Sequence, residues 1–529
     1  MLRHAVFIAL VIAALPSAAE VGIPDTLVVG VPWEDVDGVI DAGAVQAVFG
    51  PIEATGDIDD QLLHQYGSLP GTGELEDYFG SAIVGGDFNG DGRMDLAIGV
   101  PNEDHEAIAN AGVVHVLYAR IDGIFDAADS ELWRDDDTFD VIEADDEFGA
   151  SLAAGDFNGD TIDDLVVGIP GESTPTNDHV GRVAVIFGSS EGLTDIGLQW
   201  WHQEIPGVPD DDETGDRFGS TLAVGDFNGD HFLDLAIGSP QEDVAQFDDG
   251  AVTVLYGSAL GLTAADASFL TDPFPSGEDS AEFGFALAAG DLDGDDDDEL
   301  IVGAPHTNVI GFSQAGQITV YFGDHVGVSN LLFTSIVQGG DILGETVAGW
   351  PGETNLFGRA LACGNFNGDA YDDLVVAAPW DDEAGPSLSG AVHVFYGSAD
   401  GPSAADDQLW HGDTPDLPVV AGAMTWFGFA VGAGDLNGDD IDDLAVGIPL
   451  EDGPAFSNAG GVVTIPGGLM GLTSSGSRLL QQGVDGLSGI DETDDYFGAP
   501  IAVLRGVEDP LFADDFETGG TGSWSEVSP

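Results

Sequence analysis

Oxygen-bearing side chains recur at a fixed spacing in six short segments of this chain. Each segment reads Asp-x-Asn-x-Asp-x-x-x-Asp or a close variant, which puts side-chain oxygens at loop positions 1, 3, 5 and 9. The six sets are Asp87/Asn89/Asp91/Asp95, Asp156/Asn158/Asp160/Asp164, Asp226/Asn228/Asp230/Asp234, Asp291/Asp293/Asp295/Glu299, Asn365/Asn367/Asp369/Asp373 and Asp435/Asn437/Asp439/Asp443. Calcium is a hard cation that accepts about six to eight oxygen ligands in a flexible shell. The spacing therefore predicts up to six calcium sites.

A backbone carbonyl at position 7 would complete each predicted shell. The residues at that position are Arg93, Ile162, Phe232, Asp297, Tyr371 and Ile441. Histidine and cysteine are absent from the ligand positions, which argues against zinc. In any single segment, Asn-Gly-Asp could simply turn the chain between two strands. The recurrence of the same oxygen spacing favours a metal over that alternative.

The six segments are not equivalent in charge or in turn chemistry. The set that ends at Glu299 has carboxylates at all of its ligand positions and is expected to bind calcium most tightly. The set that begins at Asn365 has the fewest carboxylates and is expected to bind most weakly. Position 6 is glycine only at Gly92, so Thr161 and Ala370 are expected to strain their turns.

The acidic segments belong to a longer repeat. A Phe-Gly pair precedes each segment and a Gly-x-Pro ending follows it, with Ala377 in place of the glycine in one copy, and both marks recur every 65 to 74 residues. A small-residue stretch such as 151–155 and an apolar run such as 165–167 flank the acidic segment, and two further β-rich stretches complete the unit. Units of four short strands at a fixed period predict an all-β fold, a seven-bladed β-propeller.

The two ends of the repeat region complement each other. Residues 27–32 read as a second strand without a first, and residues 497–503 read as a first strand without a second. Together they would complete the seventh blade. We therefore expect the C-terminal strand to close the ring on the N-terminal blade, which removes both open sheet edges.

The segments outside the repeat suggest export. Arg3 and His4 precede a short apolar run, and small residues follow it up to Ala19, as in a cleaved signal peptide. We predict a signal peptide over 1–19, the propeller over 20–505 and a short tail over 506–529. No later run is long enough to span a membrane. A secreted or cell-surface location is expected.

The charge balance limits the possible partners. The chain has 97 acidic residues against 9 basic ones, for a net charge of -88. Such a surface repels nucleic acid and anionic lipid and attracts cations. Adaptation to high salt is an alternative source of part of this charge.

We find no catalytic constellation and predict a protein that is not an enzyme. The single cysteine, Cys363, aligns with small residues of other repeats and is expected to be buried. His115 and His393 lie in third strands and are expected to be packed or exposed strand residues rather than bases. The segment 397–401 lacks the arrangement of a nucleophile elbow.

A recognition surface is expected on the face of the disc opposite the acidic loops. Strands alternate in direction, so the connections from strand 2 to 3 and from strand 4 to the next strand 1 share that face. Its loops contain Trp33, Phe247, Phe312, Trp380 and Phe456. The alternative is that these aromatic side chains fold back onto the blades.

The Phe-Gly, Asp-x-Asn-x-Asp and Gly-x-Pro elements together resemble the FG-GAP repeat of the integrin α-subunit propeller, over about residues 25 to 505. The resemblance implies structural calcium and a role in extracellular adhesion and ligand recognition. We therefore expect a monomeric, exported adhesion or protein-interaction module whose partner is an extracellular protein or glycan. A lectin-like propeller and a polysaccharide-active enzyme remain alternatives.

Overall fold

Seven four-stranded antiparallel sheets form the blades of a propeller in the computed structural model. The structure describes residues 24–36, 38–52, 58–65, 69–71, 73–120, 123–125, 127–135, 142–244, 247–273, 280–309, 311–382, 388–419, 424–453, 457–484, 487–489 and 495–505. The prediction of an all-β, seven-bladed propeller is confirmed.

Blades 1 to 6 follow one another along the chain. Blade 1 contains β4 (Ala82–Gly86), β5 (Asp95–Val100), β6 (Val113–Leu117) and β7 (Glu131–Trp133). Blade 2 contains β8 (Ser151–Gly155), β9 (Asp164–Ile169), β10 (Arg182–Phe187) and β11 (Thr194–Trp201). Blade 3 contains β12 (Thr221–Gly225), β13 (Asp234–Ser239), β14 (Ala251–Tyr256) and β15 (Thr263–Thr271).

The next three blades repeat this order. Blade 4 contains β16 (Ala286–Gly290), β17 (Glu299–Ala304), β18 (Gln317–Tyr321) and β19 (Phe333–Ile336). Blade 5 contains β22 (Ala360–Gly364), β23 (Asp373–Ala378), β24 (Ala391–Tyr396) and β25 (Ser403–Trp410). Blade 6 contains β26 (Val431–Gly434), β27 (Asp443–Gly447), β28 (Val462–Ile465) and β29 (Arg478–Leu480). A small hairpin of β20 (Asp341–Ile342) and β21 (Glu345–Thr346) is inserted between blades 4 and 5.

The closing blade joins the two ends of the repeat region, as predicted. It contains β1 (Thr26–Val31), β2 (Ala44–Phe49), β3 (Asp59–Leu63) and β30 (Ile501–Leu504). Strand β30 pairs antiparallel with β1, with Thr26 opposite Leu504 and Val29 opposite Ile501. The predicted signal peptide, 1–19, and the predicted tail, 506–529, lie outside the described residues and stay predictions.

The core lies between neighbouring blades. The phenylalanine of every Phe-Gly pair is fully buried, as Phe79 and Phe148 illustrate. The innermost strands carry small residues because the blades meet closely near the axis. Blades also approach closely at their second strands: a Cβ placed on Gly30 in β1 would lie 2.3 Å from the Gly80 carbonyl oxygen of the next blade, so this contact requires glycine.

Helix is almost absent from the described residues, where a short 3-10 turn covers Ala127–Asp129. Within those residues, we find no helix with the length and hydrophobicity needed to cross a membrane.

Candidate metal centres

The six acidic segments form loops between the first and second strands of blades 1 to 6, all on one face of the disc. The residue at position 1 organises each loop by accepting backbone N–H groups. In blade 1, Asp87 Oδ1 accepts from Asp91 N at 3.0 Å and Asp87 Oδ2 accepts from Gly92 N at 2.8 Å. Asp156 binds its own loop in the same way, through Asp160 N at 3.1 Å and Thr161 N at 2.7 Å. This wrapping turns the later ligand positions back toward position 1.

Position 5 fixes the other side of the loop. In each loop its Oδ1 accepts from the backbone N–H of position 7, as Asp160 does from Ile162 N at 3.1 Å and Asp369 does from Tyr371 N at 2.9 Å. The matching contacts in the other loops are Asp91 to Arg93, Asp230 to Phe232, Asp295 to Asp297 and Asp439 to Ile441. In every loop these contacts hold the backbone of positions 5 and 7 against the side chains of positions 1 and 5, and the role of these residues as ligands stays a prediction.

Position 3 is half-buried, and in three loops the turn itself uses the oxygen that the sequence assigns to a metal. In blades 1, 3 and 5 the amide oxygen accepts from the backbone N–H of position 5 in the same loop. The acceptors are Asn89 at 2.9 Å, Asn228 at 3.0 Å and Asn367 at 2.8 Å. The prediction assigned these three oxygens to calcium and did not include this contact. A carbonyl oxygen has two lone pairs, so one is left for a cation, and the role of these residues as ligands stays a prediction.

The position-3 amides of blades 2 and 6 are oriented differently from those of blades 1 and 3. Asn158 and Asn437 turn their amide nitrogen toward the position-9 carboxylate, at 3.3 Å and 2.9 Å. Asn367 combines both arrangements, because its nitrogen also lies 3.5 Å from Asp373 Oδ1. An amide nitrogen is a donor and does not ligate a cation. Only the amide oxygens of Asn158 and Asn437 can ligate a cation, and their role as ligands stays a prediction.

Position 9 is buried in all six loops, whereas position 5 is open to solvent in five of them. Asp164 accepts from Phe157 N at 3.2 Å and from Gly188 N at 3.0 Å, which ties the loop to the end of strand β10. Asp234 and Asp373 make the equivalent pairs of contacts in their own blades. The position-9 carboxylate is thus both a candidate ligand and a link between strands.

Burial makes these position-9 groups hard to ionise without a nearby positive charge. It raises the pKa of Asp95, Asp164 and Asp234 to about 8 and that of Glu299 to about 9. The pKa of Asp373 and of Asp443 rises to about 7 for the same reason. A cation beside a carboxylate favours its charged form and would lower these pKa values.

The donor set fits a hard cation. In the blade 4 loop, Asp291, Asp293 and Asp295 each place a carboxylate oxygen within 4.8 Å of the others. Asp293 Oδ1 and Glu299 Oε1 are buried and lack a hydrogen-bond donor, and so is Asp95 Oδ2 in blade 1. Buried oxygens without a donor are unfavourable unless something satisfies them. Oxygen ligands and the absence of nitrogen or sulfur suit calcium or magnesium.

The blade 1 loop differs from the others because it contains a positive charge. The Arg93 guanidinium forms an ion pair with Asp91, and Arg93 Nε donates to Ala119 O at 3.1 Å. Arginine therefore already neutralises part of that loop's charge. The sequence indicates this only through the arginine at position 7.

Strain at position 6 is present in one of the two loops where we expected it. Thr161 adopts a φ of 70°, in the left-handed region that disfavours a β-branched residue. The expectation for Ala370 is wrong, because Ala370 does not adopt a positive φ. In the other loops the second carboxylate oxygen of position 1 holds the N–H of position 6. In blade 5, Asn365 has an amide nitrogen in place of that second oxygen, and this nitrogen donates to Asp369 O at 2.8 Å.

A second set of acidic residues joins adjacent blades, and we did not single it out from the sequence. Position 8 of one loop accepts from the position-1 backbone N–H of the preceding blade. Asp163 Oδ2 contacts Asp87 N at 2.8 Å, and Asp25 Oδ2 contacts Asp435 N at 2.9 Å across the ring closure. Asp298 and Asp442 make the same contact at 2.8 Å. In the sequence, these residues are visible as an acidic residue directly before position 9, as in Asp163-Asp164. This pair recurs in most repeats.

The opposite face combines half-buried and exposed aromatic side chains. Trp33 packs against Tyr496 with ring centroids 5.3 Å apart, and Trp380 packs against Trp426 at 6.0 Å. Phe247 and Phe312 are 61% and 38% exposed. Phe456 lies outside the described residues. The predicted surface therefore retains two exposed phenylalanines, and the two tryptophans fold back.

The side chains considered and set aside as catalytic candidates are buried. Cys363 is buried as a free thiol, and burial raises its pKa. His115 and His393 are fully buried, each in edge-to-face contact with a Phe-Gly phenylalanine. Burial lowers the pKa of His115 to about 3. Both histidines are packed strand residues, as expected.

Comparison with known proteins supports the repeat assignment. The FG-GAP repeat model matches residues 79–117, 148–186, 218–255, 283–321, 357–395 and 427–465. Each match begins at the Phe-Gly pair of one of blades 1 to 6 and ends in or just after its third strand. All six acidic loops lie within the matched stretches.

Three relatives share parts of this chain. Phosphatidylinositol-glycan-specific phospholipase D of Rattus norvegicus is 39% identical over 159 residues, which are 30% of this chain and 18% of that protein. Integrin alpha-PS2 of Drosophila melanogaster is 32% identical over 249 residues, or 44% of this chain and 15% of that protein. Integrin alpha-8 of Homo sapiens is 28% identical over 319 residues, or 58% of this chain and 26% of that protein. The chain thus spans only a small part of each relative's length. It is an FG-GAP repeat protein that resembles the N-terminal propeller of integrin α-subunits.

Proposed function

We propose that this protein is an exported propeller that calcium stabilises and that binds an extracellular protein through the face opposite its acidic loops. The recurrence of the same oxygen-lined loop in six blades is the observation that carries the calcium part of the proposal. The resemblance to integrin α-subunits supports the interaction role. The charged leader in the sequence supports export.

Each candidate site would use the residues at positions 1, 3, 5 and 9 together with the carbonyl of position 7. A bound calcium ion would supply positive charge to the buried position-9 carboxylate, which burial otherwise keeps protonated. The position-1 residue holds the turn, and position 9 anchors the loop to the third strand. The ion would therefore stabilise a turn and a strand contact together.

The opposite face provides the surface for a partner. Phe247 and Phe312 lie in connections between second and third strands, and Trp350, which is 71% exposed, follows the β20–β21 hairpin on the same face. Exposed aromatic residues are enriched at protein interfaces. Because the chain is strongly acidic, a partner with basic residues around an apolar centre would suit this face.

We propose a binding role without catalysis. The phospholipase shares only the stretch given above, so its named activity is not carried over to this chain. The buried histidines and cysteine support this view, because none of them is accessible to a substrate.

Metal removal tests the calcium part. The purified protein would be freed of metal by chelator and desalting, then dialysed against calcium chloride. Bound calcium would be counted by plasma mass spectrometry and melting followed by circular dichroism. We expect several calcium ions per chain and a higher melting temperature than in the metal-free protein. A protein that retains no calcium and melts at the same temperature would refute the proposal.

Paired variants test the binding face. The protein would capture partners from its native extracellular milieu, and the affinity of the identified partner would be measured by calorimetry. We expect Phe247→Ser combined with Phe312→Ser to weaken binding at least about tenfold, as loss of an interface centre does. Leu260→Ser, on the acidic-loop face, is the matched control because Leu260 is also exposed. Equal losses in both variants would contradict the assignment of the face.

A further inference from the structure

A recurring contact joins neighbouring blades on the face opposite the acidic loops. Three positions take part. The first lies just after strand 4 of one blade, and the second lies two residues before the next Phe-Gly pair. The third lies two residues after the proline of the next Gly-x-Pro ending. The first residue is glutamine at four junctions, as Gln65, Gln203, Gln338 and Gln482, and at the first three its amide donates to the carboxylate of the third residue. The pairs are Gln65 to Glu103 at 2.8 Å, Gln203 to Glu242 at 2.5 Å and Gln338 to Asp381 at 2.7 Å.

The junction between blades 1 and 2 replaces this amide with a third carboxylate. Asp135 occupies the glutamine position, beside Asp146 and Glu172. These residues are 1%, 1% and 4% exposed, and each places a carboxylate oxygen within 4.8 Å of the other two. Three buried like charges at this distance repel one another strongly unless a positive group lies between them.

Two buried carboxylate oxygens of this cluster lack a hydrogen-bond donor. Asp146 Oδ2 accepts from Glu143 N at 2.6 Å, but its Oδ1 is buried without a donor. Arg182 contacts Glu172 Oε1 at 3.1 Å, and Glu172 Oε2 is buried without a donor. Arg182 also acts electrostatically on Asp135 and on Asp212. Arg182 is therefore shared among several carboxylates, while two buried oxygens of the cluster lack a donor.

Other charged groups lie near the cluster. Arg134 acts on Glu103 and His115 of blade 1, and exposed Glu143 adds negative charge beside Glu172. Burial and the surrounding carboxylates raise the pKa of Glu172 to about 8. The blade 3 to 4 junction also has an aspartate at the first position, Asp272. There the other two positions are Ala281 and Thr307, and Gln317 donates to Asp272 at 3.2 Å.

We propose that the junction between blades 1 and 2 binds a divalent cation of the calcium type between Asp135, Asp146 and Glu172. The ion replaces the glutamine amide of the other junctions and joins the two blades through oxygen ligands. This site lies on the opposite face from the acidic loops and is additional to them.

The test compares calcium counts of full-length variants that have been stripped and dialysed against calcium chloride. Asp135→Gln restores the amide of the other junctions and should fold, with one bound ion fewer than the unmodified protein. Asp272→Asn, at the same position of a junction without other carboxylates, should leave the count unchanged. Asp216 and Glu242 already form a cluster with exposed Glu213, and Gln203→Asp places a buried carboxylate beside them and should add one ion.

The outcomes separate this site from the loop sites. Glu299→Gln in the blade 4 loop should also lose one ion, and its combination with Asp135→Gln should lose two. If Glu299→Gln loses an ion while Asp135→Gln and Gln203→Asp leave the count unchanged, the junction proposal is wrong and the loop proposal stands. If Asp135→Gln raises the melting temperature equally with and without calcium, the cluster holds a proton rather than an ion, and the proposal is likewise overturned.

Discussion

At the scale of single residues, aspartate serves three purposes in the blade 2 loop, and the surroundings decide which. Asp156 at position 1 is half-buried and accepts N–H groups from its own turn. Asp163 at position 8 accepts from the preceding blade. Asp164 at position 9 is fully buried between two strands, and its pKa is raised to about 8. Of these three, only Asp164 has a pKa raised so far that a bound cation would change its charge state at pH 7.

Glu299→Gln removes the charge of the position-9 side chain and keeps its shape, so it tests the contribution of the charge alone. Burial raises the pKa of Glu299 to about 9, so in metal-free protein at pH 7 the side chain is already neutral and the substitution should change stability little. In calcium at about ten times the dissociation constant, the variant should lose about 1.4 kcal/mol of stabilisation. Urea unfolding with and without calcium measures both values.

Asp341→Asn, an exposed change in the β20–β21 hairpin, is the control for this comparison. It should leave the calcium dependence unchanged. An equal loss of stability by Glu299→Gln in both buffers would show that Glu299 acts through packing alone.

At the scale of elements, each loop is a turn whose geometry depends on position 1. An aspartate there accepts the N–H of position 6 and holds that residue at positive φ, as Asp226 and Asp435 do for His231 and Asp440. Asn365 offers one acceptor oxygen, and its loop relaxes at position 6. The loop that we expect to bind calcium most weakly is therefore also the one whose turn is built differently.

Thr161→Gly should stabilise blade 2. A left-handed conformation costs an L-residue about 1 to 2 kcal/mol, and glycine removes that cost while adding unfolded-state entropy worth about 0.4 to 1 kcal/mol. We expect the free energy of unfolding to rise by roughly 0.5 to 1 kcal/mol. Ala370→Gly, at the same loop position without positive φ, should lower it. Urea unfolding measures both, and stabilisation by Ala370→Gly would contradict the role assigned to Asn365.

At the scale of the whole molecule, the ring depends on a strand from the far end of the chain. Strand β30 covers the edge of β1, and Asp25 links the closing blade to blade 6. A chain that ends before β30 should expose β1 as an open edge, melt at a lower temperature and aggregate. A chain that ends after Arg505 should melt like the full-length protein. Light scattering and circular dichroism compare the two, and equal melting would show that closure contributes no stability.

The acidity of the molecule predicts an unusual pH dependence for the metal-free protein. Carboxylates whose folded pKa lies near 8, against about 4 when unfolded, bind extra protons in the folded state between these values. Metal-free stability should therefore fall as the pH rises from 5 to 8. His115 acts in the opposite sense below about pH 6.5, but it is one group against several. Calcium should oppose the decline by favouring the ionised carboxylates.

Urea midpoints at pH 5 and pH 8, for metal-free and calcium-loaded protein, test this expectation. Passage over a chelating resin prepares the metal-free sample, because soluble chelators weaken in acid. A metal-free protein that is more stable at pH 8 than at pH 5 would contradict the burial of these groups.

The sequence by itself determined the repeat, the number of blades, the partners across the ring closure and the oxygen spacing of the loops. Each of these follows from local periodicity, which is visible along the chain. Only the tertiary structure decided what depends on contacts between blades. It showed that Asp163 binds the blade before it, that Trp33 and Trp380 fold back, and that Asp135 meets Asp146 and Glu172. These contacts join residues that are distant in sequence or lie on different strands. Their chemistry depends on burial by a neighbouring blade, and no local sequence pattern records that burial.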